Sequence, residues 1–517
     1  MKFRPRTFKI QWDLHAWSGV IASLFLFVIF YCGMFALFNK QLAQWQDPAL
    51  HQRADEPVAA ASFGALLEAV QKKQAIPRGA QLEIWQTGAR ISHEATKLDQ
   101  EIDLTESATQ KKSSEYSRLA EELYVMHFFY RVPLGIEFAG FVAIAFFIAI
   151  MSGVVIHLKD LARQLWQFRP DLRVRFSTSD AHKVLGVFGL PFAMMYAWSG
   201  ALLGLYNVLA APLVYGVYNG DQAALERAAS GLGVPIKPSD KPATMLPVDE
   251  LVQRAVATLR PRLASDKVLK PSSVRVDAYG DENAALTVHF EPTGVLEGEQ
   301  GVQLQAATGR VLRVLGMPSA PSERMNKVLF GLHYASFGGE LVRILYALLA
   351  LAVCAVILTG NVIWLERRDP KRAHAGNRWL ERLTVGFSFG LVLGSACYFA
   401  ANRALPRGLQ HRADIEYGLF LATWGMSALL VISRLGSARR WASELSRAAA
   451  LTFALVVISD LATQRAHLLS ALRLGLPNVW LVELLLASLA LSFALLARLF
   501  RSRLRPQPAS DHSLAKQ

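Results

Sequence analysis

Eight stretches of this chain are apolar over lengths suited to a membrane-crossing helix, and no other feature limits the fold as much. A hydrocarbon core of about 30 Å takes roughly 20 apolar residues as helix. The runs at 17–38, 136–157, 184–207, 341–364, 383–401, 415–433, 448–464 and 478–499 meet or approach that length. The 448–464 run is the weakest, because it carries Asp460 near its end.

Charge gives these runs a direction. The net charge is +14, but the basic residues sit beside the apolar runs rather than on a soluble patch, so nucleic acid is not an expected partner. Lys2, Arg4, Arg6 and Lys9 precede the first run. Lys159, Arg163, Arg169, Arg173 and Arg175 follow the second, and Arg367, Arg368, Lys371 and Arg372 follow the fourth. The 434–447 segment and Arg501, Arg503 and Arg505 continue the pattern. With eight spans all of these fall on one side, so the positive-inside rule places both termini in the cytoplasm and residues 39–133 and 208–335 outside. The first run is too long for a signal peptide and lacks a small-x-small cleavage site, so it reads as an uncleaved anchor. Cys32, Cys354 and Cys397 all lie in apolar runs, which leaves no disulfide framework or thiol metal motif.

The external segments read as small α+β units, helix first and antiparallel strands after. "ASFGALLEAVQKK" has helical periodicity and is followed by strand-like "AQLEIWQTG". The second opens with helical "LPVDELVQRAVATLRPRL" and continues with "SSVRVDAYG", "ALTVHFEP" and "GVQLQAATGRVLRVLG". The last reads as a hairpin turning at Thr308–Gly309. The chain carries no phosphate-binding Gly-rich loop, no Ser or Cys nucleophile motif and no flavin or nicotinamide fingerprint.

An internal repeat carries the chemistry. "DLHAWSGV" at 13–20 and "DAHKVLGV" at 180–187 align Asp13 with Asp180, His15 with His182 and Gly19 with Gly186; Gly33 then aligns with Gly200. Farther on, "VMHFFYRVPLG" holds His127 and "GLHYASFGG" holds His333. Each is followed by a Gly-containing corner, an apolar span and a late glycine, Gly153 or Gly360. The first four spans thus read as two copies of a two-helix unit about a parallel pseudo-twofold axis, which sets equivalent residues opposite each other. Topology puts His15, His157 and His182 at cytoplasmic span ends and His127 and His333 at outer ends.

Ionisable residues at membrane spans are rare and are functional candidates by default. Opposed imidazoles between facing helices suit axial ligation of haem, and glycines on the ligand's own face would leave a flat surface for a macrocycle. The plainer readings are an interfacial His, glycines that serve helix packing, and Asp13 and Asp180 as N-caps. Proton relay and zinc are the other functional readings, although zinc wants four converging ligands and the sequence offers pairs. Trp364 stands where His157 stands in the other copy, so His157 breaks the symmetry and is a substitute for His15 or His182 on the cytoplasmic side.

At these residues the sequence resembles the PepSY-associated transmembrane family of bacterial inner-membrane proteins, in particular its iron-regulated, siderophore-reductase-like branch. The matching segments are "LHAWSG" (14–19), "YRVPLG" (130–135), "MSGVVIHLKD" (151–160), "FRPDLR" (168–173), "DAHKVLGVFGLPF" (180–192), "SGALLGLYN" (199–207), "LHYASFGGELVRILY" (332–346) and "TGNVIWLERR" (359–368). They run through residues 1–370 in the family's order. The resemblance implies an α-helical polytopic protein with a four-helix core, PepSY-like α+β domains in the periplasm, and b-type haem between the helices; the two histidine pairs would hold two haems. His15, His127, His157, His182 and His333 carry over as ligand candidates for haem iron. Family members often have a further His just after Leu-Pro-Phe; this chain has Ala193 there.

The expected domains are therefore a first span (1–40), a periplasmic PepSY-like segment (41–133), the second and third spans (134–207), a periplasmic PepSY-like domain (208–335) and the fourth span (336–370). A C-terminal helical membrane extension (371–500) of about four helices and a cytoplasmic tail (501–517) complete the chain. The expected function is transmembrane electron transfer from an unidentified cytoplasmic or quinol donor to a periplasmic ferric acceptor such as a ferric siderophore. Phe128, Phe129, Tyr130, Tyr334 and Phe337 would surround the outer haem edge, and Arg131 and Arg343 would meet propionates or snorkel. The rival readings are a non-redox membrane scaffold or regulator and a transporter.

Overall fold

The computed structural model describes residues 4–47, 62–86, 88–93, 95–104, 116–158, 174–222, 224–225, 234, 236–262, 269–290, 300–316, 321–367, 375–433, 437–462, 468–473 and 475–502. Outside these lie "FRPDLR", most of the basic residues after the second and fourth spans, and His51, His374, His467 and His512. The chain divides into two compact units. One comprises residues 1–56, 111–205 and 345–517; the other comprises 57–110 and 206–344.

The first unit is helical. Among the described residues, seven helices are long and apolar enough to cross a membrane, and an eighth candidate is a broken pair. Pro5–Ala36, Gly135–His157, Gly339–Glu366, Gly376–Ala404, Arg412–Ile432, Ala438–Ala462 and Asn478–Arg501 correspond to seven of the expected runs. The protein is thus a multi-pass membrane protein. The third expected span is not one straight helix: Thr178–Phe188 and Leu190–Gly204 meet at 68°. Pro191 explains the break, since it lacks an N–H for the helical ladder and sits favourably in the first turn of a new helix. The second and third spans meet at Gly140 and Gly204, where a Cβ on Gly204 would lie 2.6 Å from the Gly140 backbone. Such close approach between helices needs residues without side chains.

Asp13 and Asp180 are not caps. The first helix begins at Pro5 with Arg4 at its N-cap, and Asp180 lies within the helix Val174–Phe188. Both helices extend back into the preceding polar segment, so each aspartate sits well inside the helix.

The second unit is built around one seven-stranded antiparallel sheet. Its strands are β1 (Gln81–Trp85), β2 (Gly88–His93), β3 (Leu98–Asp103), β4 (Pro271–Asp277), β5 (Ala285–Phe290), β6 (Gln300–Gln305) and β7 (Val311–Leu315). The order is β3-β2-β1-β4-β5-β6-β7. The two segments expected as separate small external units share this sheet through β1 and β4, with Leu82 opposite Val276 and Ile84 opposite Val274. Alternation along β1 buries Leu82 and Ile84. Leu66 and Val70 of the helix Phe63–Lys73, and Leu251 and Ala255 of the helix Val248–Leu259, belong to the same apolar core. The hairpin turns as expected, with Gly309 at φ +73°.

Candidate functional site

The four core spans of the helical unit enclose a cavity of about 470 Å³, within the range of small-molecule and cofactor pockets. The first span contributes His15 and Gly19, the second Ala149, Gly153 and His157, the third His182 and Gly186, and the fourth Val356 and Gly360. Trp12, Trp17, Lys183, Trp364 and Arg367 also line it. Trp17 and Trp364 meet edge to face at 4.9 Å, and the Arg367 guanidinium lies 4.2 Å over the Trp12 ring. Ala193 is part of the wall.

The structure brings His15 and His182 together. Their ring centroids are 6.1 Å apart and the planes cross at 79°. Each ring is fixed by a bond to a facing helix. His15 Nδ1 donates to the Ala149 carbonyl at 2.7 Å. His182 Nδ1 donates to the Val356 carbonyl at 3.0 Å and lies 3.2 Å from Thr359 Oγ1. The tautomer that donates from Nδ1 keeps its lone pair on Nε2, the form a metal takes.

The late glycines are the seats of these rings. A Cβ on Gly153 would lie 2.9 Å from His15 Cε1, and one on Gly360 would lie 3.2 Å from His182 Cε1. In both, the accepting carbonyl belongs to the residue four before the glycine, one helical turn back. His127 repeats the device on the first span: Nδ1 donates to the Ile29 carbonyl at 2.5 Å, and a Cβ on Gly33 would lie 2.8 Å from the ring. Burial pushes the His127 imidazole below its ordinary value, partly offset by that bond, which favours the neutral ring. Gly33 therefore serves a neighbour's histidine rather than the face of His15. Gly19 and Gly186 have open space where a Cβ would point and lie on the cavity wall.

His157 also lines the cavity, so all three expected inner histidines gather there. His333 ends the helix Pro321–His333 in the second unit, edge to face with Tyr334 at 5.3 Å. His127 has Phe128 at 6.4 Å. Arg131 and Arg343 have carboxylate partners of their own: Arg131 donates to Glu122 at 2.7 Å and Glu121 at 3.1 Å, and Arg343 to Glu340 at 2.8 Å. Sequence reasoning missed the carbonyl acceptors of Ile29, Ala149 and Val356 and the cavity-lining role of Lys183, because apolar residues on a span give no sign of which carbonyl is reachable.

The residues fit a haem. The His15 and His182 rings stand 6.1 Å apart on the cavity, each is held through Nδ1, and Gly19 and Gly186 leave open space on its wall. Among the described residues, no three His, Cys, Asp or Glu side chains converge as a metal-ion site.

A family model for the PepSY-associated TM region matches residues 12–367. An uncharacterized protein of Pseudomonas aeruginosa is 24% identical over 306 residues, covering 54% of this chain and 72% of that protein. The family match runs from the first to the last residue of the cavity wall and takes in both segments of the sheet, and on it this chain belongs to the PepSY-associated transmembrane family.

Proposed function

We propose that the protein is a b-type haem protein of the bacterial inner membrane, with both termini cytoplasmic, that moves electrons to a periplasmic ferric acceptor, a ferric siderophore. The observation that carries this reading is the His15–His182 pair, 6.1 Å apart on a four-span cavity with each Nδ1 bonded to a facing helix. His15 and His182 would hold the inner haem, with His157 as the alternative third ligand at the same wall. The sequence repeat assigns His127 and His333 to an outer haem. Haem held by these histidines would supply one-electron chemistry. The protein's part is to fix both imidazoles in the ligating tautomer and to exclude water with an apolar wall. With no flavin or nicotinamide fingerprint in the chain, the donor is a separate cytoplasmic protein or quinol.

A reduced-minus-oxidised spectrum of the purified protein tests this. It should show low-spin b-type haem at about two per chain. His15→Ala and His182→Ala should remove the same component and spare the one lost in His127→Ala. Protein that stays colourless after expression with ample haem would sink the redox reading and favour the non-redox scaffold. If His157→Ala rather than His15→Ala matches His182→Ala, the inner pair is His157 and His182.

A further inference from the structure

Asp460, the residue that weakens the seventh apolar run, sits inside a cluster of buried charge at one end of the C-terminal helices. Asp460 Oδ2 accepts from Arg403 Nε at 2.9 Å, and Glu483 Oε1 accepts from Trp45 Nε1 at 2.6 Å. The Arg403 guanidinium lies 3.5 Å over the Trp45 ring and donates to Asn402 Oδ1 and the Trp45 carbonyl. Beyond Asn402, Glu416 accepts from Ser117 at 2.6 Å and pairs with Arg412, whose guanidinium stacks over Tyr116 at 3.9 Å. Asp460, Glu483, Glu416 and Arg412 are each at most 1% exposed.

Two carboxylate oxygens in this cluster have no donor. Asp460 Oδ1 and Glu483 Oε2 are buried without a hydrogen-bond partner, and the two carboxyl groups flank the same Arg403–Trp45 stack, Asp460 on the guanidinium and Glu483 on the indole N–H. Two ionised carboxylates placed so close repel, whereas one proton turns either into a donor for the other. Charge balance points the same way. Arg403 and Arg412 face Asp460, Glu483 and Glu416, two positive groups against three acidic ones, and a single proton brings the buried sum to zero.

We propose that Asp460 and Glu483 share one proton, so that the C-terminal helices carry a proton-binding site where they grip the segment after the first span. Carboxyl pairs of this kind gain and lose their proton as a unit. The bound proton keeps the Arg403–Trp45 stack in a neutral setting, and its departure would leave an uncompensated negative charge beside that contact.

Infrared spectroscopy of the purified full-length protein at neutral pH tests the proposal. A protonated-carboxyl C=O band that shifts in D2O should be present, should vanish in both Glu483→Gln and Asp460→Asn, and should persist in Glu416→Gln. The amide of Glu483→Gln supplies permanently the N–H that the shared proton supplies as O–H, so this variant should melt with the wild type while Glu483→Ala melts lower. Absence of the band in wild-type protein, or its survival in both single variants, overturns the proposal; the oxygens are then bridged by water or a monovalent cation. Should one variant fail to fold, the wild-type band and the other variant decide.

Discussion

Three histidines in this protein are held in the same way, each ring against a glycine of another helix with Nδ1 on the carbonyl one turn before it. The glycine is required because a side chain there would block the approach to a carbonyl that already closes its own helical turn. Alanine substitution weighs the intruding methyl against the roughly 1 kcal/mol that Ala gains over Gly inside a helix. At Gly33 and Gly153, with the Cβ at 2.8 and 2.9 Å from a pinned ring, overpacking of about 1–3 kcal/mol should win. At Gly360, where the gap is 3.2 Å, the two effects should nearly cancel. Thermal unfolding of the three variants checks the ranking, and equal losses at all three would refute the seat. In the sheet unit, Asp281 is almost fully buried and accepts from Ser239 N, Ser239 Oγ and Asn283 N. Burial pushes its carboxyl up, but these donors more than offset it and hold the group below the usual carboxylate range. Such a group stabilises the fold above its unfolded pKa and loses that contribution as pH falls through the folded one. Asp281→Asn should therefore flatten the loss of stability in acid, below about pH 4, as measured by melting against pH.

Helix ends and breaks set where these side chains stand. After His127 the chain turns through Phe129 and Leu134 at φ 55° and 56° before the helix starts at Gly135. After His333, Ala335, Gly338 and Gly339 have positive φ before the next helix. A side chain on Gly135 would overlap the Phe129 carbonyl, which cannot move without opening the corner. Gly135→Ala should cost about 2–3 kcal/mol, well above the Gly153→Ala loss, by the same melting assay. The fifth span carries a wide turn, Thr384–Phe389, of the i→i+5 kind. Its first residue accepts from Asn361 Nδ2 at 3.0 Å, and Asn361 also donates to Ser23 at 3.1 Å, tying the C-terminal helices to the first and fourth spans. Tyr31 and Ser395 add a second buried bond at 2.6 Å.

At the scale of the whole molecule, two segments separated by more than 150 residues of chain complete one sheet. Ile84→Asp would place an unpaired charge in its core and should destabilise it by more than about 4 kcal/mol. Limited proteolysis should then cut residues 62–104 and 271–315 together, whereas two independent units would lose only the first. The apolar runs, the strand alternation in "QLEIW" and "ALTVHF" and the Thr308–Gly309 turn were legible in the sequence, because each rests on periodicity or turn chemistry within a few residues. The partners were not. His15 reaches a carbonyl 134 residues away and His182 one 174 away. Asp460 looked like a flaw in a span until Arg403 and Glu483 stood beside it, and the run around Pro191 read as one unbroken span. Local sequence determined which elements form. Tertiary structure alone decided which carbonyl fixes each imidazole, how the sheet closes and how the buried charges balance, since these depend on helices and strands meeting across the fold.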